Sequence, residues 1–200
     1  MPNPIEFYFD FSSTYGYLGS TMINALAAKH GREVIWKPFL LGATFKVTGL
    51  PALPATPLKG EYAMRDVLRC ARYYGVPYRH PTAFPISTQA PARAFYWVNG
   101  QDPVQANALA AALYKAYFQD DINISNPSDT VAVAATLGVD ARALAEALND
   151  PAVKEKLKSE VDAAIARGVF GSPFVFVDGE PFWGVDRFAH IDRWLREGGF

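Results

Sequence analysis

The sequence has little of several features that mark particular classes of protein. Its 200 residues include one cysteine, Cys70, so no disulfide can form within the chain. No run approaches the roughly eighteen apolar residues of a membrane span, and we expect no transmembrane helix. Residues 1–4 have neither a cationic segment nor a long apolar run, so no signal peptide is expected there. Together these features favour a reducing compartment, and we expect a cytoplasmic location.

Excess charge of either sign is also missing. Nineteen Lys and Arg residues against twenty Asp and Glu residues give a net charge of −1, and no stretch is strongly basic. Binding to nucleic acid or to a membrane surface is therefore not expected. The histidines His30, His80 and His190 show no ligand spacing, so we expect no metal site. Half of the residues are apolar, which is enough for an ordinary globular core.

The N-terminal part of the chain predicts a βαβ unit. Residues 5–11 are aromatic and β-branched, as in a buried strand, and residues 15–30 show helical periodicity that ends at Gly31. Residues 34–38 form a second predicted strand. A strand, a helix and a strand of these lengths imply a parallel pair joined by a right-handed crossover.

The middle of the chain has a different character. Residues 42–58 are rich in Pro, Gly and Thr without a period of either kind, and they predict a long loop. Helical patterns follow as far as residue 167, interrupting the sheet. The predicted helices lie near residues 59–74, 88–99, 101–118, 127–137, 140–149 and 151–167.

The sheet resumes near the C-terminus. Its predicted elements are strand 174–177, the hairpin turn Asp178-Gly179, strand 181–183 and a closing helix over 187–195. The order βαβ, helical insert, ββα predicts an α/β, thioredoxin-like fold with a large all-helical insertion. We therefore expect a discontinuous thioredoxin-like domain over residues 1–45 and 168–200. A loop and a helical insertion domain would occupy residues 46–167.

Ser13 is the first candidate for chemistry. It lies between the first strand and the first helix, where unpaired backbone N–H groups and the helix dipole stabilise an anion such as a thiolate. Thioredoxin-like oxidoreductases place Cys-x-x-Cys here, whereas this chain has Ser13-Thr14-Tyr15-Gly16. A hydroxyl cannot exchange disulfides, and Cys70 lies within a predicted helix, so we exclude that function. The simpler interpretation of Ser13 is a helix N-cap.

The segment Gly171-Ser172-Pro173 is the second candidate. A proline that opens a strand after a tight turn predicts a cis peptide bond. In a thioredoxin-like fold it faces the start of the first helix, and the backbone of Ser172 is free to pair with an extended peptide. The alternative is an edge-strand proline that only prevents aggregation.

Gly184-Val185-Asp186 opens the last predicted helix and is the third candidate. Asp186 could simply cap that helix. Alternatively, the helix start binds a ligand carboxylate while Asp186 pairs with a ligand ammonium, an arrangement that suits an α-amino acid end. Lys59, Arg65 and Arg93 are further cations near the predicted insertion, and solvated surface positions are their alternative interpretation.

Five motifs, spread over nearly the whole chain, resemble one family. They are FDFSSTY at residues 9–15, KGEY at 59–62, Phe84-Pro85 with Arg93, RGVFGSP at 167–173 and FWGVDR at 182–187. The set resembles the 2-hydroxychromene-2-carboxylate isomerases, which belong with the kappa-class glutathione transferases in the DsbA superfamily. The resemblance implies a homodimer with glutathione as cofactor and a small aromatic carboxylate as substrate.

The resemblance also implies roles for individual residues. Ser13 matches the catalytic serine, whose hydroxyl would donate to the glutathione sulfur and favour the thiolate. The backbone of Ser172, before Pro173, would pair with the cysteinyl residue of glutathione. The remaining matches are Val185 and Asp186 for the γ-glutamyl end and Lys59 for the glycyl carboxylate.

The expected reaction interconverts 2-hydroxychromene-2-carboxylate and trans-o-hydroxybenzylidenepyruvate during the breakdown of naphthalene-like aromatic compounds. Two alternatives stay open at this point. One is a kappa-like glutathione transferase or peroxidase that acts on another electrophile through the same thiolate site. The other is a non-catalytic binding module on a thioredoxin fold, which would need neither Asp186 nor Lys59.

Overall fold

A computed structural model of the protein describes residues 2–49 and 51–200. Within these residues, four strands form one sheet in the order β2-β1-β3-β4. The strands are β1 (Ile5–Phe9), β2 (Val34–Pro38), β3 (Phe174–Val177) and β4 (Glu180–Trp183). β1 runs parallel to β2 and antiparallel to β3, and β3 and β4 form an antiparallel hairpin. The predicted thioredoxin-like α/β fold is therefore confirmed.

Helices account for most of the remaining chain. The α-helices of the described residues are α1 (Thr14–Ser20), α2 (Ile23–Lys29), α3 (Leu41–Thr48), α4 (Lys59–Tyr74), α5 (Gln89–Asn99), α6 (Pro103–Phe118), α7 (Pro127–Ala135), α8 (Ala141–Ala147), α9 (Pro151–Ala166) and α10 (Phe188–Glu197). Two short 3-10 helices cover Leu53–Ala55 and Val185–Arg187. The predicted helical insertion is confirmed, since α4 to α9 begin and end within a few residues of their predicted bounds. The division into two domains stays a prediction.

The first predicted helix, over residues 15–30, is in fact two helices. The hydroxyls of Ser20 and Thr21 donate to the backbone carbonyls of Tyr17 and Leu18, at 2.7 and 2.8 Å. Such back-bonding competes with the regular helical hydrogen bonds and bends a helix. α1 consequently closes in a tight turn and α2 begins at Ile23.

The loop predicted over residues 42–58 is wrong in its first part, because Leu41–Thr48 forms α3. The first N–H of α3, on Leu41, donates at 2.8 Å to the carboxylate of Asp10, 31 positions earlier in the chain. Because the capping group is so distant, the local sequence shows no N-cap. α3 ends normally at Gly49, which has a positive φ of 70°. Leu50 and Met1 lie outside the described residues.

The core places the end of β1 at the junction between sheet and helices. Ile5, Phe7 and Phe9 of β1 are fully buried. The Phe9 ring contacts Phe95 of α5 and Tyr114 of α6, with centroids 6.1 and 5.6 Å apart. The segment after Phe9 thus leaves the sheet at a point enclosed by helices. In the part of the chain that the structure describes, no helix is both long enough and apolar enough to cross a membrane.

Candidate active site

Ser13 and Ser172 meet at the end of the sheet. Ser13 is the N-cap of α1, and its Oγ accepts a hydrogen bond from the Gly16 N–H at 3.0 Å. The same hydroxyl donates to the backbone carbonyl of Ser172 at 2.9 Å, across 159 positions of sequence. The helix-cap interpretation of Ser13 is confirmed. The hydroxyl also faces the segment that we singled out as its partner.

The Ser172–Pro173 peptide bond is cis, as predicted. Pro173 packs against Gly19 of α1, where an added Cβ would lie 3.2 Å from the proline ring. The predicted freedom of the Ser172 backbone holds only in part, because its carbonyl accepts the Ser13 hydroxyl. Its N–H has no acceptor among residues 2–49 and 51–200. One strand-pairing donor is therefore available beside Ser13.

Asp10 is a buried carboxylate at this junction that the sequence analysis did not single out. Its Oδ1 accepts from the Ser12 N–H at 2.7 Å, and its Oδ2 accepts from the Leu41 N–H at 2.8 Å and the Thr88 hydroxyl at 3.0 Å. Burial raises the pKa of Asp10, and these three donors act in the opposite direction. The one indication in the sequence that this acid is buried is its position between two aromatic residues, Phe9 and Phe11.

Gly16 allows the two serines to approach each other. A Cβ on Gly16 would lie 2.6 Å from the Ser172 Oγ, 2.8 Å from the Tyr114 hydroxyl and 3.0 Å from the Ser13 Cβ. The Tyr114 hydroxyl donates to the Asp10 carbonyl at 2.9 Å. Burial holds the pKa of Tyr114 well above its usual value, so this phenol remains a donor. The position therefore requires a residue without a side chain.

Val185 and Asp186 lie in the 3-10 helix that precedes α10 and contacts α1. Val185 is buried, whereas the Asp186 carboxylate is exposed and pairs with Arg187 at 3.0 Å. Burial raises the pKa of the Cys70 thiol on α4, and the charge of Asp186 adds to this effect. Asp186 is therefore close enough to α4 for its charge to act on that helix.

Lys59 is the exposed first residue of α4. α4 is fixed to α1 by the Tyr15 hydroxyl, which donates to the Asp66 carboxylate at 2.7 Å. A rise of about 1.5 Å per residue puts Lys59 roughly 16 Å from Cys70 along this helix. Lys59 thus lies at the start of α4, and the residues of α4 that sense the charge of Asp186 lie towards its other end.

The other predicted cations are not brought to this place. The guanidinium of Arg93 donates to the Leu148 carbonyl and to Gln89, each at 3.3 Å, and so connects α5 to the end of α8. Arg65 is exposed on α4. Throughout the described ranges, no three His, Cys, Asp or Glu residues come together as metal ligands would.

An exposed aromatic pair lies next to Ser172, and the sequence analysis did not assign it to the site. The Phe170 and Trp183 rings meet edge to face with centroids 4.9 Å apart, and they are 45% and 55% exposed. The indole covers Gly171, where an added Cβ would lie 2.2 Å from the Trp183 Nε1. Side chains of this kind offer a flat apolar surface to a ring.

Comparison with known proteins places this geometry in a family. A family model described as a DSBA-like thioredoxin domain matches residues 4–196. A 2-hydroxychromene-2-carboxylate isomerase of Sphingobium xenophagum is 32% identical, over 98% of this chain and 99% of its own. Glutathione S-transferase kappa 2 of Caenorhabditis elegans is 28% identical, over 98% and 94% of the two chains.

A solved structure agrees with these relatives. The crystallised 2-hydroxychromene-2-carboxylate isomerase superposes with a TM-score of 0.87 at 27% identity, over 96% of this chain and 94% of its own. Both the helical insertion and the sheet are therefore common to the two proteins. The chain belongs to the DSBA-like thioredoxin domain family, within the group of the 2-hydroxychromene-2-carboxylate isomerases and kappa-class glutathione transferases.

Proposed function

We propose that the protein is a glutathione-dependent cis/trans isomerase that interconverts 2-hydroxychromene-2-carboxylate and trans-o-hydroxybenzylidenepyruvate in aromatic catabolism. The observation that carries the proposal is the pairing of the Ser13 hydroxyl with the Ser172 carbonyl, at a helix start that has no cysteine. The names of the relatives at 27–32% identity supply the substrate class.

The residues around Ser13 fit the chemical groups of glutathione. The Ser172 N–H, beside Pro173, is a donor for the backbone of the cysteinyl residue. Asp186, exposed at the start of the last helical segment, suits the ammonium of the γ-glutamyl end, and the buried Val185 shapes the same turn. Lys59 suits the glycyl carboxylate. An anion for the ammonium of the γ-glutamyl end and a cation for the glycyl carboxylate match the charged groups of this ligand.

When bound, glutathione supplies a thiolate that adds reversibly to the conjugated double bond, so that rotation occurs about a single bond and elimination returns the thiol. The Ser13 hydroxyl has one proton, which it donates to the Ser172 carbonyl. Rotation of the hydroxyl would redirect this proton to the sulfur of a bound thiol. The Gly16 N–H meanwhile holds the Ser13 Oγ in place and makes the hydroxyl a better donor.

The substrate ring needs an apolar surface close to the thiolate. Phe170 and Trp183 provide one, since both rings are about half exposed and flank Gly171, next to Ser172. Ring stacking there would hold the conjugated chain of the substrate near the end of α1. The proposal includes a homodimer and a cytoplasmic location, which light scattering and cell fractionation would test.

The deciding experiment combines glutathione binding with one substitution. We expect calorimetry to detect glutathione binding, and Ser13→Ala to lower kcat on trans-o-hydroxybenzylidenepyruvate about 100-fold, as loss of one preorganised donor does. Ser20→Ala, on the same helix, is the matched control and should keep kcat. No binding at millimolar glutathione would overturn the proposal. Full activity of Ser13→Ala would overturn the role of Ser13.

A second candidate is a kappa-like glutathione transferase or peroxidase, which the 28% identity to a kappa-class relative favours. The same thiolate site would serve it. Turnover of chlorodinitrobenzene without turnover of benzylidenepyruvates would select this candidate. A non-catalytic binding module, which needs neither Asp186 nor Lys59, would turn over neither compound.

A further inference from the structure

The Asp10 carboxylate joins three segments that are distant in sequence. It accepts the N–H of Ser12 in the loop before α1, the N–H of Leu41 at the start of α3, and the hydroxyl of Thr88 before α5. The side chain is buried, with a residue exposure of 4%. The position of the Ser12-Ser13 loop relative to both helices therefore depends on one buried carboxyl group.

The backbone of Asp10 extends this connection to the two serines. The Ser13 N–H donates to the Asp10 carbonyl at 2.9 Å, and the Asp10 N–H donates to the Ser172 Oγ at 3.0 Å. The Ser13 hydroxyl donates in turn to the Ser172 carbonyl at 2.9 Å. These three hydrogen bonds close a ring through Asp10, Ser13 and Ser172. A shift of Asp10 must therefore displace the Ser13 hydroxyl.

We propose that Asp10 is a positioning residue, whose carboxylate fixes the Ser13 hydroxyl against Ser172 and so sets where that hydroxyl can meet a bound thiol. The inference rests on the function proposed for Ser13. It adds a buried residue that acts through the Ser12-Ser13 loop.

A neutral side chain of the same size cannot replace the carboxylate. Two carboxylate oxygens accept three donors, whereas an asparagine has one oxygen and an NH₂ group. If the Asn oxygen keeps the Leu41 and Thr88 donors, its NH₂ opposes the Ser12 N–H. Burying a carboxyl group without a cationic partner is costly and raises its pKa, and no cation pairs with Asp10 within residues 2–49 and 51–200. A contribution to the stability of the fold therefore does not by itself explain why this buried position holds an aspartate.

The principal test is Asp10→Asn. We expect kcat to fall about 100-fold, as for a small displacement of a catalytic group, with the affinity for glutathione nearly unchanged because Ser172 and Asp186 remain. The thiol pKa of bound glutathione, followed by the ultraviolet absorbance of the thiolate, should rise. Removing a negative charge without moving Ser13 would lower that pKa instead. A lowered or unchanged thiol pKa therefore overturns the inference.

Two further variants separate positioning from stability. Thr88→Val removes one donor to Asp10 but keeps its carboxyl group. It should lower kcat and raise the thiol pKa, as Asp10→Asn does, but by smaller amounts. Thr88→Val also provides a test of the inference if Asp10→Asn does not fold. Thr130→Val removes a fully buried hydroxyl that donates to the Ile124 carbonyl, at 2.8 Å, on a different part of the helical region. It should lower the thermal midpoint without changing kcat.

A double-mutant cycle with Ser13→Ala completes the design. If Asp10 acts through Ser13, Asp10→Asn should lower kcat little further in the Ser13→Ala background. A general structural defect would instead lower kcat by the full factor again. If the proposed function is wrong, this shows separately, because Ser13→Ala alone would then leave kcat unchanged. Hydrogen exchange of the Ser12 and Ser13 amides in ligand-free protein should still be faster in Asp10→Asn. Unchanged exchange there overturns the inference whatever Ser13 does.

Discussion

The inner and outer parts of the candidate site are built in different ways. The inner part, Asp10, Ser13, Ser172 and Pro173, is held by hydrogen bonds between residues as far as 162 positions apart. The outer part, Lys59 and Asp186, is exposed at the starts of two helical segments, and Asp186 pairs only with its neighbour Arg187 among the described residues. The inner part is held in place by contacts within the protein, whereas the outer part contributes charge.

This difference assigns separate energetic roles to the two parts. A group that is fixed in advance loses little entropy when it meets the reacting atom, so the inner part should determine kcat. Exposed charges gain modest energy in water and are screened by salt, so the outer part should determine affinity for the ligand ends. Substitutions in one part should therefore leave the kinetic parameter of the other largely unchanged.

The largest effect should come from Gly16→Ala. The new Cβ would lie within 3.0 Å of the Ser172 Oγ, the Tyr114 hydroxyl and the Ser13 Cβ, so the end of α1 must move away from Ser172. We expect kcat to fall about 100-fold and the free energy of unfolding to fall by about 1–3 kcal/mol. Steady-state kinetics would measure kcat, and urea denaturation would measure the free energy of unfolding.

Gly42→Ala is the control for this substitution. Gly42 is exposed on α3, and an added Cβ would meet nothing within 4 Å. Alanine is the better helix former by up to about 1 kcal/mol, so this variant should be at least as stable as the parent protein with the same kcat. A Gly16→Ala enzyme with normal kcat would show that the inner part tolerates movement.

Asp186→Asn should have the next largest effect. It removes a charge from the proposed partner of the γ-glutamyl ammonium, and we expect the Kd for glutathione to rise about 10-fold, equivalent to about 1.4 kcal/mol, with little change in kcat at saturation. Calorimetry would measure the affinity. Asp162→Asn, which alters an exposed carboxylate paired with Lys158 on α9, should leave it unchanged. A fall in kcat without a change in Kd would contradict the division between the two parts.

Lys59→Gln should have a smaller effect of the same kind. An exposed ion pair contributes about 0.2–1 kcal/mol, so the Kd for glutathione should rise about 1.4–5-fold at low salt. The difference from the parent protein should shrink as salt is added, because the charge is screened. Lys154→Gln on α9 is the control. An effect that does not depend on salt would mean that Lys59 acts through packing.

A contrast between local features and contacts across the chain also separates what the sequence predicted from what it did not. The parallel β1–β2 pair, the hairpin at Asp178-Gly179 and the helices α4 to α9 follow from periodicity and turn chemistry, which are local. Ser13 and Pro173 were found because their positions in the fold are fixed by topology. Topology also brought the pair together, although it did not reveal the hydrogen bond between them.

What the sequence did not reveal depends on contacts across the chain. α3 was missed because its N-terminal cap is the carboxylate of Asp10 in another segment. Asp10 itself was missed because its two aromatic neighbours are only a weak sign of burial, and two of its three donors lie in distant segments. The exposure of Phe170 and Trp183 was equally hidden, since aromatic residues beside a strand normally indicate core.

Cys70 gives the smallest expected effect and tests whether the reactive thiol comes from the ligand. Burial and the nearby carboxylates of Asp66 and Asp186 raise the pKa of Cys70, so its thiol stays protonated at neutral pH. Alkylation by iodoacetamide should be slower than that of free glutathione at pH 7 and should accelerate only at higher pH. Cys70→Ala should keep the isomerase activity in the presence of glutathione. A large loss of kcat in this variant, with the fold intact, would place the reactive sulfur on α4 and leave the inner serines as supports for a protein thiol.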